Sequence, residues 1–192
     1  PTRIVPTFFD KSDRFRYHLD RSIPRIQHTH RSYRKMFRRR GVILLIRDLR
    51  DACVSQYDVL RKSGRYRHGF SDFLRGHHLD LSRHSGLPGR VKFLNAWGDH
   101  LGEAKKSVVV TYEQLVNSTQ RQLTVLLSFL GLSNISDFEV NKIIFDCSIG
   151  KMRRLAAANQ SGAAYSAIKI NEGVVNRYVK YFSDSDYDYF AE

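Results

Sequence analysis

Cysteine is scarce in this sequence. Cys53 and Cys147 are the two present among 192 residues, too few for a disulfide framework or a cysteine-built zinc site. Proline is as sparse, at four residues, and glycine numbers twelve, which excludes collagen-like and proline-rich linker chains. No window approaches about eighteen uninterrupted apolar residues, the length a membrane-crossing helix needs. Neither an internal repeat nor a low-complexity tract is visible. Pro1 opens the sequence, and no apolar signal-peptide core follows it.

Acidic residues are the other shortage. Lys and Arg total 32 against 19 Asp and Glu, a formal net charge of +13. The excess is densest in residues 31–40 and 61–90. Such a balance favours an anionic partner: nucleic acid, an acidic surface, a polyanion or a phosphorylated small molecule. A solvated basic face with no specific ligand is the alternative for either stretch alone. What remains is an ordinary globular mixture, 42% apolar and 27% charged, of a size that suits one domain.

Three short apolar runs read as strands: a weak one at residues 25–29 and two strong ones at residues 42–46 and 108–112. The strong pair is rich in Val and Ile and apolar on both faces, as in a parallel sheet covered by helices. Helical patterns separate the runs. Residues 51–62 carry Ala52, Val54, Val59 and Leu60, with Gly64 as a stop. Residues 90–101 carry Val91, Leu94, Trp97 and Leu101, and Trp97 is read as core. Residues 119–130 repeat Leu at helical spacing ahead of Gly131. Residues 136–145 form a further helix with Phe138, Ile143 and Ile144 as expected core contacts. A short helix is expected at residues 70–74 and a loop at residues 156–173. The class is α/β: three layers, with a parallel sheet flanked by helices.

In open α/β sheets, ligands bind beyond the carboxyl ends of the strands. His28, Thr29 and His30 follow the first strand, Arg47 the second, Tyr112 and Glu113 the third. Arg47 closes a strand, a helix opens a few residues later, and Ser55 lies about one turn inside it. A phosphate there would meet free backbone N–H groups, a guanidinium and a hydroxyl. On spacing alone, Arg47 could instead pair with Asp48 or Asp51, and Ser55 could bond its own backbone. His77, His78 and His84 are read as solvated loop residues, since no carboxylate lies at ligand spacing.

The segment GVILLIRDLRDACVSQY, residues 41–57, resembles the strand–loop–helix of sulfotransferases that use 3′-phosphoadenosine 5′-phosphosulfate (PAPS). That pattern is an apolar strand, Arg-Asn-Pro-x-Asp, and a Ser eight residues after the Arg. The resemblance implies that Arg47 and Ser55 hold the 3′-phosphate. PRIQHTH, residues 24–30, is similar to the Pro-Arg…Lys-Thr-His strand whose last residue is the catalytic base, which implies His30 in that role. SVVVTYEQL, residues 107–115, resembles the Tyr-Glu-Asp-Leu block and implies Tyr112 in the adenine pocket. CSIGKM, residues 147–152, looks like the Thr-Ser-Phe-x-x-Met segment over the adenine and implies Cys147, Ile149 and Met152 there. The tail NEGVVNRYVKYFS, residues 171–183, has the rhythm of the family's ending and implies Gly173.

The departures from the pattern are specific. Asp48 and Leu49 replace Asn-Pro, His28 stands where the family has Lys, and Ile149 replaces Phe. Asn171 and Glu172 replace a basic pair, for which Lys169 and Arg177 are the candidate substitutes. No phosphate loop of the Pro-Lys-Ser-Gly-Thr kind and no GxxxxGK run occurs. The expectation is one sulfotransferase-like domain over residues 1–192, beginning after that loop, with a sulfotransferase fold of the P-loop nucleotide hydrolase type that is incomplete at its N-terminus. Ile43, Leu45 or Val109 should then be more exposed than in a closed core.

The resemblance implies PAPS as co-substrate, no metal, and a small-molecule or glycan acceptor offering a hydroxyl or amine. A basic nucleic-acid-binding module is the reading from another class, and no RNP, helix-turn-helix or zinc-finger signature supports it. A non-catalytic relic that binds nucleotide or polyanion is the third.

Overall fold

A computed structural model describes residue 26 and residues 29–80, 85–158 and 173–192, with the side chains of Met152 and residues 155–158 outside the described set. Two strands, β1 (Gly41–Ile46) and β2 (Lys106–Thr111), pair in parallel. Their register runs from Gly41 opposite Lys106 to Ile46 opposite Thr111. The parallel direction needs a long crossover, and three helices supply it: α1 (Leu49–Lys62), α2 (Phe70–Leu74) and α3 (Gly86–Gly98). After β2 come α4 (Tyr112–Asn117), α5 (Thr119–Phe129), α6 (Asp137–Asp146), α7 (Ile149–Ala158) and α8 (Asp184–Ala191). The architecture is mixed α/β, a parallel sheet flanked by helices. Among the described residues, no helix is long and apolar enough to cross a membrane.

The expected strand at residues 25–29 falls mostly outside the described residues, and Ile26 and Thr29 belong to no strand. Helix α1 opens two residues earlier than expected because Asp48 caps it, accepting the Arg50 backbone N–H at 2.8 Å. Helix α3 likewise opens at Gly86, four residues ahead of Arg90, with Ser85 extended at its cap position. Helix α7 runs to Ala158, into the stretch read as loop.

The main core gathers Val54 and Tyr57 of α1, Phe73 and Leu74 of α2, Leu87 of α3 and Phe182 of the C-terminal segment. Burying each such side chain stabilises the fold by roughly 1.5–3 kcal/mol. Helices α2 and α3 approach closely at Gly86 (φ +66°), where a Cβ would lie 2.7 Å from the Phe73 carbonyl oxygen. A second cluster joins Phe37, Val42 and Trp97. Trp97 is 4% exposed and donates its indole N–H to the Arg31 carbonyl at 3.1 Å, the core role expected of it.

One expectation about burial is corrected. Phe138 on α6 is 78% exposed and Ile143 is also exposed, whereas Val140 is buried to 2%. The face of α6 that packs is set by Val140. The exposure expected on the strong strands is present: Leu45 is 57% exposed and Val109 46%, with Ile43 half-buried.

Candidate functional site

The register that puts Ile46 opposite Thr111 brings the next residues, Arg47 and Tyr112, side by side at the carboxyl edge of the sheet. The Arg47 guanidinium stacks over the Tyr112 ring at 4.2 Å from its centroid. It also donates to Asp51 Oδ2 at 3.2 Å and to the Val174 carbonyl at 3.0 Å. Asp51, buried in the first turn of α1, accepts the backbone N–H groups of Asn176 at 2.8 Å and Tyr178 at 3.0 Å. One carboxylate thus ties α1, Arg47 and the C-terminal segment together. The pairing of Arg47 with Asp51 allowed by spacing is present. It leaves Arg47 Nε buried without a partner, a donor suited to an oxyanion.

The loop after β1 is braced from two sides. The Asp48 backbone N–H donates to Glu113 Oε1 at 3.0 Å, linking the first residues beyond each strand. The Asp48 carboxylate pairs with the Arg50 guanidinium, at 2.6 Å from Nη2. That hydrogen bond holds the Asp48 carboxyl below its usual range, against the opposing effect of burial. Arg50 in turn lies 3.9 Å from the Tyr178 ring centroid.

A cleft of about 1060 Å³ opens at this edge, bounded by His30, Arg47, Ser55, Arg90, Phe93 and Tyr112 among others, with no Asp or Glu among the described residues of its lining. Ser55 is half-buried in the second turn of α1, and His30 is exposed at the cleft's rim. Gly173 and Ile149 stand beside Tyr112. Gly173 has φ +72°, and a Cβ on it would fall 1.9 Å from Ile149 Cδ1 and 3.9 Å from Tyr112 Oη. Cys147 is exposed at the end of α6, where its backbone N–H donates to the Ile143 carbonyl at 2.9 Å. The Met152 side chain, His28, Lys169, Asn171 and Glu172 lie outside the described residues.

Arg177, a candidate for the missing basic pair, is engaged in an ion pair. Its guanidinium is 2.5 Å from Asp58 Oδ2, and Tyr181 donates to the other oxygen of that carboxylate at 2.8 Å. The ion pair fastens the C-terminal segment to α1. Of the loop histidines, His77 lies 3.4 Å from Asp72 Oδ1, His78 stacks on His68, and His84 is outside the described residues.

The sulfotransferase domain model matches residues 7–192. The chain belongs to the sulfotransferase family. No curated protein matches its sequence. Solved structures resemble it in fold. One is mouse sulfotransferase SULT7A1 complexed with PAP, 20% identical, at a TM-score of 0.66 over 87% of this chain and 62% of that one. Another is retinol dehydratase with androsterone and the inactive cofactor PAP, 17% identical at 0.66 over 86% and 50%. Retinol dehydratase with retinol and PAP is 16% identical at 0.66 over 89% and 52%. The chain therefore spans between half and 62% of the length of these structures.

Two cleft residues of this sulfotransferase-family chain carry no functional signal in the sequence. Arg90 stands in a basic stretch and at the start of an expected helix, and Gln56 at no named position of the strand–loop–helix pattern. Gln56 follows Ser55, but nothing in the spacing says that α3 crosses α1 there.

Proposed function

We propose that the protein transfers a sulfuryl group from PAPS to an acceptor hydroxyl or amine, with the nucleotide at the carboxyl edge of β1 and β2. The observation that carries this reading is the Arg47 guanidinium, held by Asp51 and Tyr112 with a buried unpartnered Nε. Arg47 and Ser55 hold the 3′-phosphate. Tyr112, Ile149 and Gly173 line the adenine side, with Cys147 and Met152 in the segment over it. The PAP present in the solved relatives by fold supports the same donor.

His30, at the rim of the cleft, takes the proton from the acceptor as its oxygen or nitrogen attacks sulfur. A new bond to sulfur forms while the bond from sulfur to the bridging phosphate oxygen breaks. PAP leaves with that electron pair, and His30 releases its proton to solvent. The cationic lining favours charge developing on the leaving phosphate. The androsterone and retinol complexes of retinol dehydratase support a small hydroxyl acceptor. The sulfotransferase domain match weighs against a nucleic-acid module.

The test is transfer of labelled sulfate from PAPS to a panel of phenols, alcohols and sugars. His30→Ala should lower kcat by about 10²–10⁴ while PAP affinity is kept. Full turnover in His30→Ala would move the base assignment to His28.

A further inference from the structure

Arg90 is a cation that the nucleotide reading does not use. It is the fifth residue of α3 and lines the cleft with His30 and Ser55. Its Nη2 donates to Gln56 Oε1 at 3.1 Å. Gln56 is itself fixed, because its Nε2 donates to the buried Ser85 Oγ at 3.2 Å. The amide oxygen is therefore held toward the guanidinium. Arg90 Nε is buried and has no partner, and no acidic side chain pairs with Arg90 among the described residues.

The neighbouring thiol cannot serve as counter-ion. Burial pushes Cys53 up to about 11, so it is neutral at ordinary pH. Burial, and the like charge of Arg47, draw the Arg90 guanidinium below its usual value, yet a guanidinium keeps its proton in proteins. Among the described residues, the half-buried guanidinium thus has an amide and a thiol beside it and no carboxylate, at the wall of an open cleft. A fixed guanidinium placed this way suits an incoming oxyanion.

The residues proposed for the nucleotide, Arg47, Ser55 and Tyr112, line the same cleft, and residues 173–178 close it where β1 and β2 end. Phe93 and Leu94 follow Arg90 along α3, and Leu45 faces them as part of the same lining. This gives the Arg90 side of the cleft an apolar wall with a fixed cation at one end.

We infer that Arg90, aimed by Gln56, is an anion subsite for the acceptor, so that the protein selects hydroxyl acceptors that carry their own carboxylate or sulfate. The inference rests on the sulfotransferase reading for which partner is the acceptor, while the anion preference stands on Arg90 itself. The acceptor's ring lies on Phe93, Leu94 and Leu45, its anion on Arg90, and its hydroxyl toward His30.

The test is calorimetric titration of the full chain saturated with PAP, using three probes of one shape: 4-nitrophenyl β-D-glucoside, its 6-sulfate, and 4-nitrophenyl β-D-glucuronide. One or both anionic probes should bind about ten- to a hundredfold tighter than the glucoside, and their order identifies the anion. Arg90→Gln should reduce the anionic probes to the glucoside's affinity and leave PAP unchanged, while Arg90→Lys keeps part of the preference. Equal binding of all three probes by the wild type would overturn the inference. So would a preference that survives Arg90→Gln. A loss of PAP affinity in Arg90→Gln, as large as the loss for the anionic probes, would make Arg90 a nucleotide ligand instead. If the wild type fails to bind PAP, the nucleotide reading falls, and the same probes titrated alone still read the Arg90 preference. If Arg90→Gln does not fold, Gln56→Leu removes the group that aims Arg90 and should weaken the preference; an unchanged preference there counts against the subsite.

Discussion

Arg47 and Tyr112 meet because they are the first residues beyond two strands in parallel register, and their side chains stack at 4.2 Å. The stack fixes the guanidinium from one side while Asp51 fixes it from another. Tyr112→Ala should therefore weaken PAP binding through Arg47 as well as through lost adenine contact. A cation–π contact of this kind contributes roughly 0.5–2 kcal/mol. The expected loss is about three- to thirtyfold by calorimetry, and Tyr112→Phe, which keeps the ring, should retain most of the affinity.

Gly173→Ala tests the adenine side. The backbone there has φ +72°, which an alanine adopts at a cost of about 1 kcal/mol. The added methyl would also displace Ile149 Cδ1, 1.9 Å from its position. PAP affinity should fall several-fold, and Ile149→Ala in the same chain should recover part of it. Strictly additive losses in the double-mutant cycle would show that the two residues do not share the site.

How much of this was legible beforehand depended on whether the signal was local. The strands β1 and β2 were readable from their Val and Ile content, and Arg47, Ser55 and Tyr112 from their place after them. The Asp48 cap, which starts α1 at Leu49, was hidden because Asp48 and Asp51 both suited the helix start. The face of α6 was misread because Phe138 and Ile143 are larger than Val140, while packing chose the smaller residue. Arg90 was invisible as a site residue because its role depends on how α3 crosses α1.

Asp186 should give the fold an acid-sensitive anchor. Its fully buried carboxylate accepts from Arg75 Nη1 at 2.5 Å, Ser71 Oγ at 2.9 Å and the Ser183 backbone N–H at 3.1 Å. Burial pushes its carboxyl up, but the Arg75 bond and the others outweigh this and leave it lowered. A lowered folded-state value means stability that is present above the unfolded value, about 3.9, and lost as pH falls through the folded one. The Tm should thus drop below about pH 4. Asp186→Asn should cost roughly 2–4 kcal/mol at neutral pH and flatten that acid limb. An unchanged acid limb in Asp186→Asn would remove Asp186 from the account.

The two faces of α6 should respond differently to substitution. Phe138→Lys changes an exposed side chain and should leave stability within about 0.5 kcal/mol. Val140→Ala, on the packed face, should cost roughly 1–3 kcal/mol by denaturant unfolding. A larger loss from Phe138→Lys than from Val140→Ala would mean that Phe138 is covered in solution.

The most direct measurement is a calorimetric comparison of adenosine 3′,5′-bisphosphate with adenosine 5′-monophosphate on wild type and Arg47→Ala. The nucleotides differ only in the 3′-phosphate that Arg47 is proposed to hold. The wild type should prefer the bisphosphate by about ten- to a hundredfold, the range for charge-assisted hydrogen bonds. Arg47→Ala should cut that preference to the few-fold that Ser55 supplies, with a smaller loss for the monophosphate than for the bisphosphate. Equal binding of both nucleotides by the wild type, or a preference undiminished in Arg47→Ala, would contradict the nucleotide site at the ends of β1 and β2.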